Sequence, residues 1–160
     1  MTDDDAPVVT LKNGADVTLN YGSDFNLSDY VDVTDNFDGV IQPQVEGSID
    51  NHKEDGVQTL TIKATDSSGN ESSAQLNVAV KDTEAPKISL SKSEVSVNVG
   101  ASLDLSNYLS SSTDNKDGDV KGKVSIPSVS TSKAGSYTAT YTVSDSAGNQ
   151  GSASLTVKVN

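Results

Sequence analysis

The stretch APVVTL at residues 6–11 returns as APKISL at 85–90, and TDSSGNESSAQLNVAVK at 65–81 returns as SDSAGNQGSASLTVKV at 144–159, each 79 residues later. This repeat restricts the fold more than any other feature of the sequence, because a chain of 160 residues must then hold two copies of one small unit. Between these matches, ADVTLNYGSDFNLSDY (15–30) pairs with SEVSVNVGASLDLSNY (93–108) at an offset of 78, which places a one-residue indel near Asn13 and another near 109–113. Both are expected in turns. The repeats run roughly 6–82 and 85–160, so two domains are expected, 1–82 and 83–160, joined through DTEAP.

Inside each unit the apolar residues alternate with polar ones at a period of two, the signature of half-buried strands. Val17, Leu19 and Tyr21 share a face, as do Val95, Val97 and Val99. Leu60, Ile62 and Ala64 correspond to Ala139, Tyr141 and Val143, and Leu76, Val78 and Val80 to Leu155, Val157 and Val159. Six or seven strands per unit, punctuated by Gly, Asn, Asp and Ser, have the spacing of a β-sandwich. Only LSDYV and LSNYL have room for a turn of helix. Pro86 stiffens the linker by fixing its own φ and restricting the residue before it, so the domains are expected to stand end to end.

Composition removes several functions. The net charge of −12 comes from 23 acids against 11 bases, which disfavours nucleic acid and anionic membrane surfaces as partners. No apolar run approaches the length needed to span a bilayer. Cysteine is absent, so neither a disulfide framework nor a thiolate metal site is possible. No signal peptide is present, which leaves open that targeting segments lie elsewhere. A glycosidase would need paired carboxylates across an aromatic-walled cleft, and the chain has no Trp and seven aromatics, so no enzyme is expected. His52, the only histidine, sits in the polar loop DNHKEDG without a recognisable catalytic or metal-binding partner and reads as a solvated loop residue.

The DDDAP and DTEAP openings, the TDNxDG turns, the strand GSYTATYTVSD (135–145) and the closing DSSGN and DSAGN hairpins together resemble the bacterial immunoglobulin-like domains found in tandem in cell-surface proteins. That resemblance covers nearly the whole chain. It implies an all-β fold of two tandem immunoglobulin-like sandwiches, extracellular display on the cell surface or cell wall, often of a Gram-positive organism, and a spacer or adhesive role. Its nearest partners would be neighbouring domains of the same parent protein. Tyr137, two residues before Ala139, has the tyrosine-corner spacing. Unit 1 has Gln58 at that place and on this count is expected to be the less stable copy.

A sandwich of this topology gathers the acids of its N-terminal segment, its B–C turn and its F–G hairpin at one end. In unit 2 these are Asp82 and Glu84, Asp114 and Asp117, and Asp145; in unit 1 they are Asp3 and Asp5, Asp35 and Asp38, and Asp66. Carboxylates held close repel by ~1 kcal/mol or more per pair, so they are either spread in water or share a cation. Calcium, which takes six to eight oxygens in loose geometry and accepts carbonyls freed by Gly39 and Gly118, is the candidate. A solvated Asx-turn is the alternative. The spacing excludes an EF-hand, since unit 2 has Ser125 where the closing Glu would stand.

Glycan or host-protein binding is the other functional class, with Phe37 at the tip of DNFDG as a candidate contact, although a lone loop Phe more often packs locally. Tyr21, Tyr30, Tyr108 and Tyr141 fall on core-facing phases. A Lys–Asn isopeptide bond is set aside, because Lys87 is Val8 in unit 1 and neither final strand offers a buried Asn. The sequons NLS (26–28) and NES (70–72) read as chance matches. Polar outward faces guard the sheet edges, and a monomer is expected.

Overall fold

Alternation decides where the backbone extends, and glycine and aspartate decide where it turns. The computed structural model describes residues 3–160 and divides into two compact units, Met1–Lys81 and Asp82–Asn160. Asp82 thus begins the second unit rather than ending the first.

Unit 1 contains β1 (Val8–Leu11), β2 (Asp16–Asn20), β3 (Val31–Asp35), β4 (Gly39–Val40), β5 (Gln44–Glu46), β6 (Gln58–Thr65) and β7 (Glu71–Lys81). They form two sheets, ordered β1-β3-β4 and β2-β7-β6-β5. Unit 2 contains β8 (Lys87–Leu90), β9 (Glu94–Val97), β10 (Leu109–Asp114), β11 (Gly118–Asp119), β12 (Gly135–Ser144) and β13 (Gln150–Val159). Its sheets are ordered β11-β10-β8 and β12-β13-β9. A single bridge between Ser125 and Thr142 lies along β12, which otherwise has no counterpart of β5. β2 runs parallel to β7, and β9 to β13, while the remaining pairs are antiparallel.

The expected faces pack between the sheets. Leu60, Ile62, Ala64, Leu76, Val78 and Val80 are buried with Leu19, Val31 and Val33. Ala139, Tyr141, Val143, Leu155, Val157 and Val159 are buried with Val95, Leu105, Val120 and Val124. Val17, Tyr21, Tyr30 and Tyr108 lie half-buried against these clusters. Tyr141 is fully buried, and its hydroxyl donates to the Leu105 carbonyl at 2.7 Å, which satisfies the one polar atom that the ring takes into the core.

Three details depart from the alternation. Val99 is 50 % exposed, because β9 ends at Val97 and the chain turns at Gly100, whose φ is +78°. The indel near 109–113 falls inside a strand: the pairing of β10 with β8 shifts between Leu109 and Ser111, a bulge that absorbs the extra residue. LSDYV and LSNYL do contain short 3-10 turns, at Leu27–Asp29 and Leu105–Tyr108, but they are not alone, since a further one forms at Lys121–Lys123.

The tyrosine corner forms in unit 2, where the Tyr137 hydroxyl donates to the Lys133 carbonyl at 2.9 Å. In unit 1 Gln58 does a similar task from the same position. Its Nε2 donates to the Asp50 carbonyl at 2.9 Å, and its Oε1 accepts from the Asp50 amide at 2.8 Å. Both side chains tie the loop before the strand to the start of that strand.

Candidate functional site

Each unit gathers three segments at one end: the residues before its first strand, the tight turn DNxDG, and the five-residue hairpin D-S-[SA]-G-N. The DNxDG turn follows from its composition. The first Asp accepts two backbone amides through Oδ1, from Phe37 and Asp38 onto Asp35 at 2.8 and 2.9 Å, and from Lys116 and Asp117 onto Asp114 at 2.9 and 2.8 Å. The glycine closes the turn with φ of +75° at Gly39 and +70° at Gly118, where a side chain would be strained.

The second Asp of the turn does something different. Asp38 accepts the Ser67 amide at 2.6 Å and the Ser67 hydroxyl at 2.8 Å, and Asp117 accepts the Ser146 amide at 2.7 Å and hydroxyl at 2.6 Å. Both oxygens of each carboxylate therefore clamp the turn to the hairpin. The Ser146 hydroxyl and amide hold the Asp117 carboxyl below the usual carboxylate range, with Lys123 adding to the effect from 3.5 Å.

Asp66 and Asp145 open the hairpins and fold back onto them. The Asn70 side chain donates to Asp66 Oδ2 at 2.7 Å and the Asn70 amide to Oδ1 at 2.8 Å. Asn149 treats Asp145 in the same way, at 2.8 Å in each case. Burial by itself would raise these two carboxyls, but the asparagine and the hairpin amides outweigh it and hold both low. The same asparagines reach the N-terminal segments: Asn70 donates to the carbonyls of Asp3 and Asp5 at 3.0 and 3.1 Å, and Asn149 to that of Asp82 at 3.2 Å. Asn70 and Asn149 were not among the residues singled out from sequence. Their recurrence at the 79-residue offset, at the end of a motif already recognised, was the available signal.

The result is one convergence per unit. Single carboxylate oxygens of Asp3, Asp35 and Asp66 lie within 4.8 Å of one another, and so do those of Asp82, Asp114 and Asp145. Four of the ten acids expected at the metal sites belong elsewhere: Asp38 and Asp117 clamp the hairpins, while Asp5 accepts the Asn36 side chain at 2.6 Å and Glu84 pairs with Lys87 at 3.1 Å. Two residues decide the N-terminal contribution, since Asp3 and Asp82, rather than Asp5 and Glu84, point into the cluster.

The clusters are electrostatically loaded. Burial, followed by the charges of Asp114 and Asp145, pushes the Asp82 carboxyl up. Burial likewise raises Asp3, helped by Asp35, Asp66 and Asp5 and opposed by the Asp5 amide. Asp66, Asp82, Asp114 and Asp145 are each less than a tenth exposed.

The other candidates separate cleanly. Phe37 is 63 % exposed and does not pack locally as a lone loop Phe was expected to. His52 is exposed and meets the Tyr21 ring edge-on at 5.0 Å. A concavity of about 510 Å³ on the β5-β6-β7 sheet is lined by polar and small residues and bridged by Lys63 and Glu46 at 2.6 Å. No helix among the described residues is long and apolar enough to cross a membrane.

Two sheets closed over one apolar core, twice over, with a tyrosine corner in the second copy, define a tandem immunoglobulin-like protein. The family described as bacterial surface protein, Ig-like domain, matches residues 9–80 and again 89–159, and the chain belongs to that family. Domains of this family are generally non-catalytic, and membership fits an extracellular or surface location.

Among solved structures, the chain resembles the M60 catalytic domain with the CBM51-1 and CBM51-2 domains from Clostridium perfringens ZmpB. The identity is 11 % and the TM-score 0.55, over 96 % of this chain and 30 % of that one. It is also similar to protocadherin gammaB7 EC3-6 (16 %, TM-score 0.37, 99 % of this chain and 52 % of that one) and to Drosophila N-cadherin EC1-4 (16 %, TM-score 0.37, 98 % and 50 %). At these identities the first likeness concerns the fold alone, and the two cadherin likenesses carry no argument. The chain spans about a third of the first structure and about half of the other two. No curated protein sequence matches it.

Proposed function

We propose that the chain is a non-catalytic spacer, a two-domain segment of a stalk that projects a distal adhesive or enzymatic part of a bacterial, Gram-positive surface protein. The observation that supports this best is the duplication itself. The two units repeat not only a fold but most of the pairing between the first strand and its neighbour, and the three acids of each cluster correspond one to one, as in a modular element. A unit selected for one specific ligand would be expected to differ most at its exposed loops.

One loop does differ, and it favours a second reading in which unit 1 contacts a host protein or glycan. Phe37 stands exposed where unit 2 has Lys116, and Val40 in the following strand is 78 % exposed. Stacking on an exposed aromatic is a common way to hold a sugar.

Glycan arrays and immobilised extracellular-matrix proteins, probed with the 160-residue chain and with Phe37→Ala, separate the two. The spacer reading expects no retention that the substitution abolishes, together with a single chain mass at every concentration in light scattering. Retention lost in Phe37→Ala would replace it with the binding reading.

A further inference from the structure

The two acidic ends differ from ordinary solvated turns in one respect. Asp114 is 9 % exposed, and its Oδ2 is buried without a hydrogen-bond partner, although Oδ1 of the same carboxylate accepts two amides. In unit 1 Asp3 and Asp35 are half-buried residues, but their Oδ2 atoms are likewise buried and unpartnered. A buried carboxylate oxygen facing two further carboxylates is costly, since it has lost water and meets their repulsion, which in unit 2 the charge of Lys116 near Asp82 offsets only in part. The cost disappears if a cation occupies the centre.

We propose that each unit binds one divalent calcium ion, held in unit 2 by Asp82, Asp114 and Asp145 and in unit 1 by Asp3, Asp35 and Asp66. The ligand set is all oxygen, which suits calcium or magnesium and offers nothing to zinc or copper beyond carboxylate. Ligand number favours calcium. Magnesium dehydrates reluctantly and is usually held through one or two carboxylates, whereas calcium takes many oxygens in loose geometry. Here three carboxylates converge, their oxygens within 4.8 Å of one another. Water would complete the six to eight ligands that calcium takes.

Asn70 and Asn149 act as positioning residues. Each donates to the hairpin aspartate and to a backbone carbonyl of the N-terminal segment, so two of the three ligand-bearing segments are already aligned. The ion would therefore fasten the segment before the first strand to the loops of its own unit. The inference does not depend on the spacer reading, because a calcium clip would serve a binding domain equally well.

Isothermal titration of the metal-stripped 160-residue chain with calcium tests it, using magnesium as control and thermal unfolding as a second readout. The expected result is two calcium equivalents per chain and a calcium-dependent rise in Tm that magnesium reproduces only in part. Asp114→Asn and Asp35→Asn retain an Oδ1 acceptor for the turn amides while removing the unpartnered anionic oxygen. Each should lose one equivalent, and the double variant both, with the circular dichroism of a folded β protein retained. Absence of saturable calcium heat, or two equivalents persisting in the folded double variant, would overturn the proposal.

Discussion

Ser112 and Val33 occupy the same register position in the two units, Ser112 opposite Ile88 and Val33 opposite Val9. In unit 2 that position is fully buried and the serine Oγ has no partner. An unsatisfied buried hydroxyl costs about 1–3 kcal/mol, so Ser112→Ala should stabilise unit 2 by about 1 kcal/mol after a small packing loss. Urea unfolding measures it, and a lower midpoint in the variant would mean that the hydroxyl has a partner worth keeping. Asp117 makes an opposite case. Its carboxyl is held low by Ser146 in the folded state, so the stability it contributes is complete above the unfolded value of about 3.9 and disappears as the pH falls through the lower folded value. Asp82 works in the other direction, because its raised carboxyl opposes folding as it ionises with rising pH. The stability gap between the native chain and Asp117→Asn should accordingly be constant at neutral pH and close in acid. A gap that stays open at pH 2 would show that the clamp does not rely on the charge. None of this was visible in the sequence, where Asp35 and Asp38, or Asp114 and Asp117, look interchangeable within DNxDG. What distinguishes them is the serine at 67 or 146, which arrives from a hairpin about 30 residues further along the chain.

Strands were easier to read than loops, for a physical reason. A period of two in Leu60, Ile62 and Ala64 reports directly which side of the chain must leave water, and β6 buries those three residues. The same rule failed at Val99, because alternation says nothing about where the backbone stops being extended, and there Gly100 ends it. The bulge in β10 was legible only as an extra residue in the repeat alignment; which strand would absorb it depended on the pairing with β8. One strand also depends on a residue with no side chain. Gly151 in β13 faces the Pro86 carbonyl so closely that a Cβ there would collide with backbone that cannot rotate away. Gly151→Ala should therefore displace the segment entering β8 and destabilise unit 2 by about 1–3 kcal/mol, the usual cost of overpacking. Differential scanning calorimetry should show only the transition of unit 2 moving down. A shift of both transitions, or of neither, would contradict this assignment of the contact. Unit 1 has Ser72 at the corresponding position and so cannot use the same close approach.

For the whole chain, two cores and two acidic ends make two autonomous folding units, and the division between them has a consequence for ligand chemistry. Asp82 belongs to the second unit, where Asn149 holds its carbonyl and its carboxylate joins Asp114 and Asp145. The repeat alone placed the break one residue later, because it aligns strands and is indifferent to which side of a linker supplies a ligand. Separate expression of 1–81 and 82–160 should give two folded β domains, each with about the stability it has in the full chain, since each encloses its own apolar cluster. A third fragment, 83–160, retains every strand and every core residue of unit 2 and lacks only Asp82. It should fold as 82–160 does, with an unchanged β spectrum and a similar Tm in chelator. In calcium the two should part: the longer fragment gains stability by the linkage of binding to folding, and the shorter gains much less, having lost one of three carboxylates. Equal calcium responses would remove Asp82 from the site and leave Asp114 and Asp145 as its only acidic ligands. A failure of 83–160 to fold even in chelator would show instead that the contact from Asn149 to the Asp82 carbonyl is structural in its own right.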